Sequence, residues 1–413
     1  MKKAKVWIGI STLLLSVSAL HAHVYAQSPN QSGTKFKGQA EAQPNTTNMV
    51  YLNLRRTPPA GTPSYLISPT DEGIAGAEIG IEDANITGKF LGYALTLSYI
   101  NALDSAAIDA ITHAPVVLID SPDAQYQEAV RSVVSINPSA LVMNVASGKD
   151  AFRHMHCELN VLHTYPSYQM KTDALGQWLR VKRLGSVLTL RGAHESDKAY
   201  LDAFLRTAKK FKLNIVEAKT WQASFDLRRS AFSEIPLFTR TKQPYDAIFA
   251  ADTQSQYAYS LPFNTHLIVP IMGSAGLKPL GWHFTHEQWG ARQLQNRFKD
   301  KFSRTMNEVD FAAYAAIIAI STALQRSESS DSENNGSVTG TQLFNALIGE
   351  QLSVAAYKGR QLTFRESTRQ LRQPIALAHE DALVIHAPLP GFLHQRDELD
   401  TLGDTTNTCK DTL

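Results

Sequence analysis

Apolar and polar positions recur along this chain with two periods, one of helical spacing and one of strand length, and the first passage to show both is Met49 to Ile100. Met49 to Leu54 is a short apolar run. Ile74, Ala77, Ile81 and Ala84 then fall at helical spacing with Glu78, Glu82 and Asp83 more exposed, which predicts an amphipathic helix. Ser68 is placed to cap it, and Asp71 and Glu72 suit the positive end of its dipole. Gly88 and Gly92 punctuate the exit before Tyr93 to Ile100, an apolar and aromatic run of strand length. Strand, helix and strand in that order predict a parallel sheet.

The alternation continues. Asp104 to Thr112 reads as a helix, Pro115 to Asp120 as a strand buried on both faces, Ala124 to Ser135 as a helix and Ala140 to Val145 as the next strand. After Leu159 to His163, a short strand candidate, the pattern restarts. Met170 to Arg183 and Ser196 to Phe211 read as helices, and Ser186 to Leu190, Leu213 to Glu217 and Tyr245 to Ala250 as strands. Two series, each too short for a large domain, predict two α/β lobes joined near His163 to Ser167. Gln288 to Arg304 and the Ala- and Ile-rich Asp310 to Arg326 are strongly helical, and Ser327 to Gly340 reads as an exposed loop. Thr341 to Ile348 is a last helix, and Gly359 to Phe364, Gln373 to Ala378 and Ala382 to His386 read as terminal strands.

The first residues change the picture. Lys2, Lys3 and Lys5 precede an uncharged run from Val6 to Leu20, and small residues at Val24-Tyr25-Ala26 follow, which reads as an export signal, residues 1–26, cleaved near Ala26. The apolar run is shorter than the roughly 20 residues of a spanning helix. A polar leader without periodicity, residues 27–47, comes next. The whole chain carries 40 basic and 38 acidic side chains, and loss of the three leader lysines leaves it near neutrality, with no basic surface to recruit nucleic acid. The periplasm is the compartment this implies, and there the only two cysteines, Cys157 and Cys409, are expected to form a disulfide.

No constellation for catalysis stands out: there is no G-x-S-x-G elbow, P-loop, H-E-x-x-H helix or dinucleotide fingerprint, so neither an enzyme nor a cofactor is expected. His154, His156, Cys157 and His163 include good zinc ligands, but their spacing matches no closed site and no metal is expected. Aromatic residues gather where binding loops are expected. Tyr165 and Tyr168 lie at the lobe junction, Trp221 and Phe225 after a second-lobe strand, and Trp282 further on, each of them a core residue or a cleft wall. In YDAIFAAD the first polar residue after the apolar strand is Asp252, so its carboxylate is expected at the carboxyl end of the strand, where such sheets bind ligands. Capping of the following helix is the other role open to it.

The opening unit with its TGKFLG turn, NVLHTYPSYQMKTDALGQWLRVKR at Asn160 to Arg183, YDAIFAADT at Tyr245 to Thr253 and GRQLTFRESTRQLRQPIAL at Gly359 to Leu377 resemble the type I periplasmic substrate-binding proteins of ABC transporters, branched-chain amino acid type. With the tail GFLHQRDELDTLG, Gly391 to Gly403, the chain looks like the subfamily associated with PQQ-dependent alcohol dehydrogenase systems. The resemblance implies two lobes, each a mainly parallel sheet flanked by helices, joined by a three-strand hinge with crossings near His163, Trp282 and Glu350. Residues 48–162 and 283–350 would form lobe 1, residues 163–282 and 351–390 lobe 2, and residues 391–413 a C-terminal tail. It also implies ligand contacts at Ser121, Ala146 and Ser147 in the first lobe and at Tyr165, Asp252 and Thr253 in the second.

The chain departs from the amino-acid binders at Asp120-Ser121-Pro122-Asp123, where those proteins carry Gly-Pro and paired serines. Two carboxylates there are expected to repel an amino acid's own carboxylate, which implies a neutral or cationic ligand, or one connected with alcohol oxidation. The expectation is a monomeric periplasmic protein that closes on a small molecule and delivers it to an ABC permease in the inner membrane. A sensor or accessory protein of a quinoprotein dehydrogenase, without a transport role, is the alternative.

Overall fold

The first lobe is a five-stranded parallel sheet of order β2-β1-β3-β4-β5, formed by β1 (Asn45–Asn53), β2 (Tyr93–Ile100), β3 (Val116–Asp120), β4 (Leu141–Asn144) and β5 (Val161–His163). This computed structural model describes residues 44–55, 64, 67–155, 159–222, 233–255, 257–330 and 338–406, which fall in one compact unit, Gln43–Leu413. The expected signal peptide, most of the expected leader, His156, Cys157, Phe225 and Cys409 lie outside the described residues. Asn45 to Thr47, placed in the leader by their polarity, belong to β1 instead, because the edge strand β2 offers them backbone partners from Tyr93 to Leu95.

Alternation along β1 and β3 explains why both faces of this sheet are covered. Tyr51 and Leu118 face one way, toward α1 (Ile74–Leu91), while Leu52 and Ile119 face the other, toward α2 (Ser105–His113) and α3 (Asp123–Ile136). α1 begins at Ile74, with Gly73, at a positive φ of 76°, in the cap position rather than Ser68. The Gly73 N–H is taken by Asp310 Oδ1 at 2.7 Å, while Asp71 and Glu72 are drawn into ion pairs with Arg304 and Arg55. Gly88 lies inside the helix, and Gly92 alone ends it.

The second lobe starts with α4 (Tyr168–Lys182), followed by a parallel sheet of order β7-β6-β8-β9. Its strands are β6 (Ser186–Arg191), β7 (Asn214–Thr220), β8 (Ala247–Ala251) and β9 (Ile271–Gly273), with α5 (Glu195–Lys210) packed against it and the single turns α6 (Ile235–Phe238) and α7 (Leu261–Asn264) between strands. β10 (Lys278–Leu280) leads back to the first lobe, which α8 (Ala291–Phe302), α9 (Glu308–Ser330) and α10 (Gly340–Leu347) complete. α9 carries an apolar stretch long enough to span a membrane, but it is mostly buried against α1 and the first sheet. Closure there is very tight: a Cβ on Gly76 would meet the backbone oxygen of Asp310 at 1.9 Å.

The last segment corrects the expected division near Glu350. β11 (Gly349–Val354) and β12 (Leu362–Phe364) pair with each other, and Leu352, Val354, Leu362, Phe364 and Leu371 are buried in the first-lobe core with α9. A two-stranded ribbon cannot cover its own apolar face, and α9 and α10 provide the cover. Only from Ile375 does the chain join the second-lobe core, where β13 (Ile375–Ala378) and β14 (Leu383–Ala387) form an antiparallel sheet with β10. Three short segments therefore cross between the cores: Tyr165 to Tyr168, Leu277 to Trp282, and Leu371 to Ile375.

Candidate binding cleft

The carboxyl ends of both parallel sheets face a cavity of about 560 Å³ between the lobes. Parallel strands end here with their loops, and short turns into the following helices present side chains at fixed heights. The register Asn53 opposite Asp120 sets β1 and β3 level at this edge, so Arg55 and Ser121 emerge side by side.

Ser121, Ala146, Tyr165, Asp252 and Thr253 line the cavity. Ser147 does not line it. Asn144 folds the loop back on itself, its Oδ1 accepting from the Ala146 and Ser147 amides at 3.3 and 2.9 Å and its Nδ2 donating to Ser147 O at 2.8 Å. The Ser147 hydroxyl is thereby turned inward and donates to Asp123 Oδ1 at 2.5 Å. On the second lobe, Asp252 Oδ2 accepts from the amides of Tyr257 and Ala258, each at 2.7 Å, which is the capping role open to it from the sequence. Thr253 is fixed by Asp197 of α5, whose Oδ1 accepts from both the Thr253 amide and its hydroxyl at 2.6 Å.

The Asp120 to Asp123 turn reads differently in three dimensions than in sequence. Asp120 is fully buried behind the wall, where it accepts from Arg55 Nε at 2.6 Å and from the Tyr51 hydroxyl at 2.9 Å. Burial nevertheless holds its carboxyl above the usual range, with Arg55 and the two hydrogen bonds pulling the other way. Only Asp123 faces the cleft, so the expected pair of repelling carboxylates is a single one. Asp123 accepts from the Tyr168 hydroxyl at 2.8 Å as well as from Ser147, both neutral donors.

The floor of the cleft holds an ion pair that joins the lobes. Lys171 of α4 donates to Glu308 Oε1, at the start of α9, at 2.8 Å, and to the Tyr165 hydroxyl, also at 2.8 Å. Tyr165 in turn donates to the same carboxylate oxygen at 2.5 Å, and Gly281 N–H donates to the other oxygen at 3.0 Å. Burial would raise the Glu308 carboxyl, but Lys171 and these donors outweigh it and hold it below its ordinary value. A second interlobe pair, Arg206 to Asp150 at 2.6 Å, lies outside the cavity wall.

Of the aromatic candidates, Tyr165, Tyr168 and Trp282 line the cavity, joined by Tyr200 and Phe284. Trp221 does not, being packed between the rings of Phe238 and Tyr257 in the second-lobe core. Sequence reasoning missed Arg55, Lys171 and Glu308. Lys171 and Asp173, charges set in α4 where no face from Tyr168 to Gln177 is left exposed, are the one signal of that network, and it needs the helix's burial to be read.

No family model and no curated protein matches the chain. Solved structures do. A leucine-, isoleucine-, valine-, threonine- and alanine-binding protein from Brucella ovis, in a closed conformation, superposes with a TM-score of 0.63 at 14% identity over 84% of this chain and 93% of its own. A solute-binding protein of an ABC transporter from R. palustris, in complex with benzoate, gives 0.58 at 14% identity over 83% and 95%. The branched-chain amino acid transporter substrate-binding protein of Streptococcus pneumoniae, in complex with isoleucine, gives 0.58 at 11% identity over 83% and 98%. The common property is the two-lobed α/β fold of the periplasmic binding proteins.

Proposed function

We propose that this protein is a periplasmic substrate-binding protein that captures a small molecule between its lobes and presents it to an ABC permease. The observation that carries the reading is the cavity of about 560 Å³ at the carboxyl ends of both sheets, a volume suited to one small metabolite. Ser121, Ala146, Asp252 and Thr253 are proposed to contact the ligand from the two sides, with Tyr165 at the hinge and Ser147 acting through Asp123. Contacts from both lobes favour the closed arrangement over an open one, and the permease reads closure.

The charge of the wall supports a neutral or singly cationic ligand. Glu72, Asp123, Asp252 and Glu308 line the cavity against Arg55, Lys171 and Lys278, and the last three are engaged with Glu72 and Asp120, with Glu308, and with Glu380. Among the described residues, a free carboxylate entering the cleft would meet no lysine or arginine that lacks an acidic partner. The resemblance of the tail to proteins associated with quinoprotein alcohol dehydrogenases supports an alcohol or a product of alcohol oxidation as the class to try first.

Native mass spectrometry of freshly purified protein tests the reading directly. A retained small molecule, or a melting temperature raised by one member of a panel of neutral alcohols, aldehydes and amines, is the expected result. Turnover of a binding molecule by stoichiometric protein would overturn it in favour of an enzyme, and no binding across the panel would remove the capture role for this class.

A further inference from the structure

Lys358 lies at the root of the hinge rather than on the cleft. It is 3% exposed, in the segment between β11 and β12 that packs on the first lobe, and its Nζ donates to the backbone carbonyls of Gly281 and of Pro374, the latter at 3.3 Å. Those carbonyls belong to the second and third crossing segments. Nζ also stands 4.6 Å from the Phe311 ring centroid and 5.6 Å from that of Trp282, two rings stacked on each other. Gly281 is also held by Glu308, which accepts from its N–H in the preceding peptide group, and a Cβ at Gly281 would come within 2.9 Å of Pro166 in the first crossing. One amine thus ties two crossings together at a peptide wedged against the third.

We propose that Lys358 is the pin of the hinge, a positioning residue whose neutral amine locks the crossing segments in the observed arrangement and whose protonation releases them. A neutral amine has two N–H groups, and the two carbonyls accept both. An ammonium would bring a third N–H, which gains the cation–π attraction of the two rings, but also a charge stripped of water, and burial is the larger effect. Burial pushes Lys358 down to about 7, with Glu308 pulling weakly the other way.

The groups around it leave Lys358 as the one that titrates near neutrality. Glu308, from α9, is held below its ordinary carboxyl value and is ionised. His286, from the loop before α8, is held low chiefly by burial, and His386, on β14, is pushed down to about 3 by burial, by Lys358 and by His286. His386 is therefore neutral where Lys358 changes charge, and His286 is shifted away from its charged form. The sign follows from linkage. A hinge arrangement in which Nζ meets water binds the proton more tightly than the buried one, so acid favours release and base favours the lock. Global stability moves the same way, because the unfolded chain keeps this proton up to the ordinary lysine range and so binds more protons than the folded chain above about pH 7.

The test needs no ligand. Solution scattering of the purified full chain between about pH 5.5 and 8.5 should show the radius of gyration rising as the pH falls, with its midpoint near the Lys358 value. Carbon-13 labelling of lysine ε-methylenes should show one resonance titrating at that same midpoint, absent from Lys358→Met. The radius of Lys358→Met should be flat across the range. A Lys358 resonance that titrates only in the ordinary lysine range, or a scattering transition that survives in Lys358→Met, would overturn the proposal. If Lys358→Met does not fold, coincidence of the two midpoints in the unaltered protein supports the proposal, and separation of them overturns it.

Discussion

At Asp252 two roles meet in one side chain. Its Oδ2 caps the turn at Tyr257 and Ala258, and the residue also lines the cleft. Asn caps almost as well as Asp but carries no charge, so Asp252→Asn separates the roles. The expected outcome by calorimetry is a loss of about 2 kcal/mol in affinity for the ligand retained on purification, with the melting temperature nearly unchanged. Unchanged affinity would leave Asp252 as a cap alone. Lys171 and Glu308 make a sharper case, because their side chains are only 7% and 17% exposed and each is the other's charge partner. Lys171→Met strands a buried carboxylate, and chemical denaturation should register a loss of about 3 kcal/mol, most of it recovered in Lys171→Met with Glu308→Gln. Since the Glu308 carboxyl is held low, its contribution is complete above the ordinary carboxyl range and is lost as the pH falls through its folded value. Melting curves should therefore show a steeper acid decline in the unaltered protein than in Glu308→Gln.

Among the elements, those with a long period were legible, while of the three-residue strands β5 and β12 were read and β9 and β10 were not. α3, α5 and the fully buried β3 and β8 lie within a few residues of where their patterns place them, because packing on a parallel sheet demands the same periodicity that the sequence shows. β9 and β10 escaped because three residues carry no period, and β11 because its apolar face is completed by α9, far away in the chain. The cap of α1 failed for a related reason: its first amide is satisfied by Asp310, 237 residues distant, which no local pattern announces. In the cleft, the strand-end position of Asp252 could be read from polarity and that of Ser121 came from the family resemblance, whereas the Lys171 to Glu308 pair exists only once the lobes meet. α1 and α9 also yield a test of packing against propensity. Ala in place of a helical Gly gains about 1 kcal/mol in an exposed helix. At Gly76 the new Cβ would collide with the Asp310 backbone, which cannot swing aside as a side chain would. Gly76→Ala should therefore destabilise by roughly 2 kcal/mol in spite of its propensity, as read from denaturant midpoints.

Across the whole molecule, residues 400–404 contact both lobes and the third crossing. Asp400 accepts from Arg365 Nε at 2.6 Å and Arg372 Nε at 2.9 Å, in the segment that leads into the third crossing, while Gly403 N–H donates to Asp173 Oδ2 of α4 at 2.9 Å. Four residues past Asp400, Asp404 pairs with His154 Nε2 of the first lobe at 3.3 Å. The strap thus reaches the third crossing, the second lobe and the first lobe in turn. That course gives the expected Cys157–Cys409 disulfide a motive independent of cysteine count. Both cysteines lie outside the described residues, but Cys157 is three positions from His154 and Cys409 five from Asp404. At about 3.5 Å per residue those lengths are enough for the two sulfurs to meet across the His154 to Asp404 contact. The closed loop would be very long, and the chain-entropy model puts its upper stabilisation at roughly 5 kcal/mol, with measured bridges often below it. Thiol titration of unfolded, unreduced protein should find no free thiol, and reduction should lower the melting temperature. Asp404→Ala should weaken the strap only slightly, since an ion pair this exposed contributes little. Two free thiols in protein taken from an oxidising compartment would show that the strap is held by Asp400 and its neighbours alone.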